Sequence, residues 1–164
     1  PRAQLWNMTS DNANRPSLAK VWLMGLLLVL CTPMFSMFTS GLLEGMGLVP
    51  AIQAVAEQFF VARGNLAMVS LLGLISFCLL AILIWIMGKF LAIDHHKKTM
   101  IICGIVIIVL IIAWSNMSYW RTYLPAKQFM SWPHGLELVI GPLFFAPIGM
   151  VLGVFGGWLV SRYS

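Results

Sequence analysis

The sequence is poor in charge: only 9% of its 164 residues are Asp, Glu, Lys or Arg, whereas 60% are hydrophobic. A soluble domain carries charge on roughly a quarter of its residues. A fold surrounded by water could not cover this much apolar surface. The shortage of charge therefore indicates a chain that folds within lipid, without a separate soluble domain.

Cysteine is also scarce, and its spacing excludes the usual cysteine chemistry. The three cysteines each lie inside an apolar run and form no CxxC pair: Cys31, Cys78 and Cys103. Metal sites and redox sites need closer spacing. We expect these cysteines to be small buried residues.

Histidine is equally rare, with three residues in the chain. A transmembrane haem needs two imidazoles that converge on one iron. His95 and His96 are predicted on one side of the membrane and His134 on the other, about 30 Å of hydrocarbon apart. We expect no cofactor and no bound haem.

Four apolar runs are long enough to cross a bilayer, which takes about 20 residues in a helix. They cover residues 18–40, 66–90, 100–119 and 138–160. We predict an all-α integral membrane protein, an antiparallel bundle of four transmembrane helices. One membrane domain (18–164) follows a polar cytoplasmic tail (1–17). The first run is too long for a signal-peptide core, so we expect an uncleaved anchor.

The basic residues predict the orientation of these spans. Cytoplasmic loops carry an excess of Lys and Arg. Placing both termini in the cytoplasm puts three basic residues outside, which are Arg63, Arg121 and Lys127. The other seven then lie inside: Arg2, Arg15, Lys20, Lys89, Lys97, Lys98 and Arg162. We predict cytoplasmic N- and C-termini, in a bacterial inner membrane.

The connections between spans differ in character. Residues 94–99 form a short turn, which predicts that the second and third spans are an antiparallel hairpin. Residues 50–63 start at Pro50 and place apolar residues on one helical face, with Gln53 and Glu57 on other sides. We predict an amphipathic helix in the outer interface; a re-entrant segment is the alternative.

The second outer connection is rich in aromatic residues. Tyr119, Trp120, Tyr123 and Trp132 are predicted to lie at headgroup depth. Aromatic side chains anchor membrane proteins there. A belt of aromatic anchors at this depth accounts for the four residues. The alternative is a surface that binds another membrane subunit.

Glycines recur every four residues in the last span. Gly149, Gly153 and Gly157 fall along one helical face, with Gly156 beside them. Small residues at this spacing let another helix approach closely. The ridge serves packing within the chain or contact with a partner, and the sequence leaves both open.

Proline residues interrupt two of the predicted spans. Pro142 and Pro147 should free backbone carbonyls in the last span, and Pro33 should do the same in the first span.

Two polar groups remain as candidate sites. His95, His96, Lys97 and Lys98 could contact anionic lipid headgroups, or His95 and His96 could form a weak metal site. Arg121, His134 and Glu137 form the polar cluster predicted on the outer side. An enzyme that acts on lipid or quinone would have to use this second cluster.

No acidic or basic residue occupies the middle of any predicted span. A charge buried at that depth usually marks an ion path or a proton relay. No nucleophile with an activating partner, phosphate loop or HExxH motif is present either, so we predict no catalytic residue and no enzyme activity. The sequence also lacks the dense basic patch that nucleic-acid binding would need, so we expect no nucleic-acid partner.

These observations favour a non-enzymatic membrane subunit of a larger assembly. Its partners would be lipids and other integral membrane subunits, or further copies of itself. The glycine ridge and the outer aromatic residues would supply the contacts. The alternative is a small solute or ion transporter or channel that works as a homo-oligomer.

Overall fold

The computed structural model describes residues 17–60, 65–90, 93, 95–126 and 135–163. The described chain is helical and contains no strand. Its helices are α1 (Leu18–Leu43), α2 (Leu48–Phe60), α3 (Asn65–Phe90), α4 (Lys97–Ala126), α5 (Leu136–Ile140) and α6 (Ala146–Tyr163). A π-helical turn, Gly141–Phe145, joins α5 to α6.

Four helical segments are long and apolar enough to cross a membrane, which confirms the four predicted spans. They are Leu18–Leu43, Leu66–Phe90, Lys97–Thr122 and Leu136–Tyr163. The chain is therefore a multi-pass integral membrane protein. The second span coincides with its predicted run, and the other three extend beyond their runs by two or three residues at one or both ends.

The end of α4 departs furthest from the predicted boundary. The third run was predicted to end at residue 119, but the helix continues to Ala126. Tyr119 and Trp120 are buried against Met37 of α1 and Leu138 of α5. Packing between helices, which a hydropathy run does not record, therefore extends this helix.

The helix α4 lies at the centre of the bundle. It makes its most extensive contacts with α6 and α1 and smaller ones with α3, its partner in the predicted hairpin. Close approach is possible because Gly25 of α1 faces Ile105, and Gly104 faces Leu80 of α3. The hairpin neighbours touch, but α4 packs more broadly on helices distant in sequence.

The charged side chains of the described residues mark two edges of the bundle. One edge, called the lysine edge, carries five cations: Lys20, Lys89, Lys97, Lys98 and Arg162. The opposite edge, called the glutamate edge, carries three acids and one cation: Glu44, Glu57, Arg121 and Glu137. The interior between them contains only uncharged side chains among the residues described.

Candidate functional site

The glycine ridge of α6 packs against α4 of the same chain. A Cβ added at Gly153 would lie 2.9 Å from the carbonyl oxygen of Cys103. One added at Gly157 would lie 3.0 Å from the carbonyl oxygen of Thr99. A Cβ added at Gly149 would instead meet the side chains of Ile107 and Ile111. These three glycines serve contact within the chain, so this face is already covered.

Gly156 differs from the other three glycines. A Cβ added there would meet no atom within 4 Å. The residue lies on the open side of α6, between the exposed side chains of Leu152 and Phe155 and that of Leu159. It is the member of the predicted set that remains accessible to a partner.

The predicted outer aromatic residues are not a continuous surface. Tyr119 is 5% exposed and Trp120 is 1% exposed, and their rings contact each other edge to face at 4.8 Å. Both belong to the apolar cluster at the glutamate edge. They are core residues because they close the space between α1, α3 and α5. The side chain of Tyr123 and all of Trp132 lie outside the described residues.

The predicted outer polar cluster is divided. Arg121 donates a hydrogen bond from Nε to Oε1 of Glu44, at 3.2 Å. Glu137 is exposed in the first turn of α5, where a negative charge complements the helix dipole. His134 lies outside the described residues. The ion pair that the structure shows therefore joins Arg121 to α1 rather than to Glu137.

At the lysine edge, the four predicted residues surround the start of α4. His95 is exposed, and His96, Lys97 and Lys98 are half-buried. A Cβ added at Gly88 would lie 3.2 Å from Nζ of Lys97, so the lysine side chain crosses the end of α3. Within the described part of the chain, no three His, Cys, Asp or Glu residues are grouped as a metal site.

Two tryptophans at the lysine edge each accompany a cation one helical turn away. Nζ of Lys89 lies 3.9 Å from the ring centroid of Trp85. The guanidinium of Arg162 lies 5.3 Å from that of Trp158. Tryptophan and basic side chains at this spacing fit the boundary between hydrocarbon and headgroups. Neither pair was predicted, although the i, i+4 spacing of each is visible in the sequence.

The structure also reveals a link between α3 and the π-helical turn. The N–H of Ala146 bonds to the carbonyl of Gly141, so the next carbonyl, that of Pro142, would need the N–H of residue 147. Pro147 has none. The Ser76 hydroxyl donates to the Pro142 carbonyl instead, at 2.5 Å. The π-helical turn therefore frees the Pro142 carbonyl, and a side chain of another helix satisfies it.

Further polar side chains lie buried in the same half of the bundle. On α1, Thr32, Ser36 and Ser40 donate to backbone carbonyls of their own helix. On α4, Asn116 is fully buried; its amide donates to the Ile112 carbonyl at 2.9 Å. Its Oδ1 has no hydrogen-bond partner among the described residues. Buried polar groups thus concentrate toward the glutamate edge, whereas the opposite half is apolar.

The link between Ser76 and Pro142 could be predicted from the sequence only in part, and the burial of Asn116 was not predicted. The prolines predict freed carbonyls in the last span, but nothing local identifies Pro142 as the residue concerned or Ser76 as its donor. Comparison with known proteins supplies no further assignment. The chain matches no protein-family model, no curated protein and no solved structure at a significant level.

Proposed function

We propose that this chain is a non-enzymatic integral-membrane subunit of a larger membrane assembly. The observation that carries the proposal is the position of its charged groups. In the described residues the acidic and basic side chains lie at the two edges, and the hydroxyl and amide groups of the span interiors bond mainly to backbone carbonyls. A bundle built this way supports packing more readily than proton transfer or nucleophilic chemistry.

The open face of α6 is the surface that we assign to a partner. The span containing α6 is the least buried of the four. Within its most apolar 18-residue stretch 33% is buried, compared with 44% in the span of α4. Gly156 lies on this face and leaves room for a second helix to come close. Packing and close backbone approach drive helix association in lipid, where burial of apolar surface adds little.

The assignment is tested by gentle purification from native membranes, blue-native gels and mass spectrometry of what stays bound. We expect stoichiometric membrane proteins in the purified complex. Gly156→Leu should release them, whereas Ala81→Leu, at an exposed position of α3, should not. A monomer that carries no partner under the gentlest extraction would contradict the proposal.

The position in the cell belongs to the same proposal. Five cations at the lysine edge, against one cation and three acids at the other, support placing the lysine edge in the cytoplasm. Both termini would then be cytoplasmic. We propose the bacterial inner membrane as the location.

A small transporter or channel that acts as a homo-oligomer is the second candidate. The π-helical turn favours it, because such turns occur often at functional sites. Asn116 follows Ser115, which faces Gly141 of this turn, and its Oδ1 has no hydrogen-bond partner among the described residues. Solute and ion flux into liposomes containing the pure protein tests this function. Flux that Asn116→Leu abolishes would support it; no flux across a broad panel of solutes would count against it.

A further inference from the structure

Three basic residues at the lysine edge have no acidic partner in the described part of the chain. Lys89 and Arg162 are exposed and Lys98 is half-buried, and none of the three forms an ion pair with a described residue. We call these three residues the cation corner. Every acidic residue that the structure describes lies at the glutamate edge. Asp94 lies outside the described residues, and one carboxylate would offset only one of the five cations at the lysine edge.

The cation corner is formed by the ends of three helices that meet. Met87, near the end of α3, and Met100, near the start of α4, are buried in one apolar cluster, and Trp158 of α6 packs against it. Each of these residues lies two to four positions from the cation of its own helix. The three cations therefore come from helix ends that pack on a single apolar cluster.

Two of the cations are held against tryptophan rings. Nζ of Lys89 lies 3.9 Å from the ring centroid of Trp85, and the guanidinium of Arg162 lies 5.3 Å from that of Trp158. Each ring covers one side of its cation, so N–H donors on the other side can still bond to an anion. Contact with the ring also restricts the side chain, which reduces the entropy lost when an anion binds.

The surroundings of the corner identify the anion. Trp85 is 61% exposed and Phe90, next to Lys89, is 82% exposed, so lipid surrounds this cation on the outside of the bundle. Tryptophan rings lie at the boundary between hydrocarbon and headgroups, which places their cations at the level of the lipid phosphates. No described acidic side chain lies at this edge to pair with the choline or ethanolamine of a zwitterionic lipid. We infer that the cation corner is a binding site for the headgroup of an anionic phospholipid.

Native mass spectrometry of retained lipids tests the inference. The full-length protein is reconstituted in phosphatidylcholine bilayers that contain a minor fraction of phosphatidylglycerol with the same acyl chains, and is then extracted gently. The two lipids differ in headgroup charge and in mass, so each bound molecule can be identified. We expect phosphatidylglycerol to be enriched several-fold among the retained lipids relative to its share of the bilayer. Equal shares in the protein sample and the bilayer would overturn the inference.

Three variants at exposed positions separate a headgroup site from general charge attraction. Lys89→Gln and Arg162→Gln each remove one cation of the corner, and each should lower the enrichment by up to about fivefold. Lys20→Gln removes the same charge from the same edge, but on α1 and outside the corner, so the enrichment should remain. Enrichment that the two corner variants leave unchanged, or that Lys20→Gln lowers equally, would overturn the inference. Carbodiimide crosslinking of Lys89 to a carboxyl group of another protein in native membranes would also overturn it.

Discussion

The Ser76 hydroxyl of α3 donates a hydrogen bond to the backbone carbonyl of Pro142, the second residue of the π-helical turn. Sixty-six residues separate the two partners in the sequence. The bond supplies the donor that Pro147 lacks, and it fixes α3 against the last span where that span is irregular. Irregular backbone at membrane depth is stable only where neighbouring groups satisfy it.

We expect Ser76→Ala to lower the free energy of unfolding by roughly 0.5–2 kcal/mol, because a buried carbonyl loses its donor. Unfolding in detergent micelles measures the change. Pro147→Ala returns an N–H to the helix, so Ser76→Ala should cost less in that background. Thr39→Ala, which removes an exposed hydroxyl bonded to its own helix, is the control. An equal cost of Ser76→Ala in both backgrounds would contradict this account.

Replacing glycine by alanine should affect the stability of the fold differently at two positions of α6. Gly153→Ala places a methyl group 2.9 Å from the Cys103 carbonyl oxygen, and we expect it to destabilise the fold by roughly 1–3 kcal/mol. Gly156→Ala meets open space. It should be neutral or stabilising by up to about 1 kcal/mol, because Ala is the better helix former. Thermal unfolding of the two variants, side by side, measures both. Similar losses at both positions would mean that the ridge does not pack as described.

The ion pair between Glu44 and Arg121 joins the ends of α1 and α4. The arginine side chain is 59% exposed and the glutamate 28%, so solvent screens their attraction. A double-mutant cycle with Glu44→Gln and Arg121→Gln should give a coupling of about 0.2–1 kcal/mol. The coupling should shrink as salt is added. A coupling well above this range, or one that salt leaves unchanged, would indicate a pair shielded from solvent.

The proposed orientation predicts which edge is accessible from outside the cell. Single cysteines are introduced after the native Cys31, Cys78 and Cys103 have been replaced by Ser. In spheroplasts, a membrane-impermeant maleimide should label Glu57→Cys at the glutamate edge. His95→Cys should react only after the membrane has been opened. The reverse labelling pattern would place the lysine edge outside and reject the proposed topology.

Some positions could be predicted from local sequence and others could not. The spans were predictable because a helix in lipid needs a continuous apolar run, and Pro142 and Pro147 predicted freed backbone carbonyls in the last span. The burial of Trp120 was not predictable, since an aromatic residue near a span end fits both a headgroup belt and a core. The direction of the Gly153 face was equally open, because small residues serve contacts within and between chains alike.

Composition and hydropathy alone determined that this chain is helical, crosses the membrane four times and carries its charges at two edges. Those properties follow from the free energy of moving each residue between water and lipid, which depends on local sequence. Only the tertiary structure decided that α4 is central, that Gly153 faces it and that Ser76 reaches Pro142. These relationships join residues far apart in the chain, so side-chain shape and backbone hydrogen bonding across helices determine them.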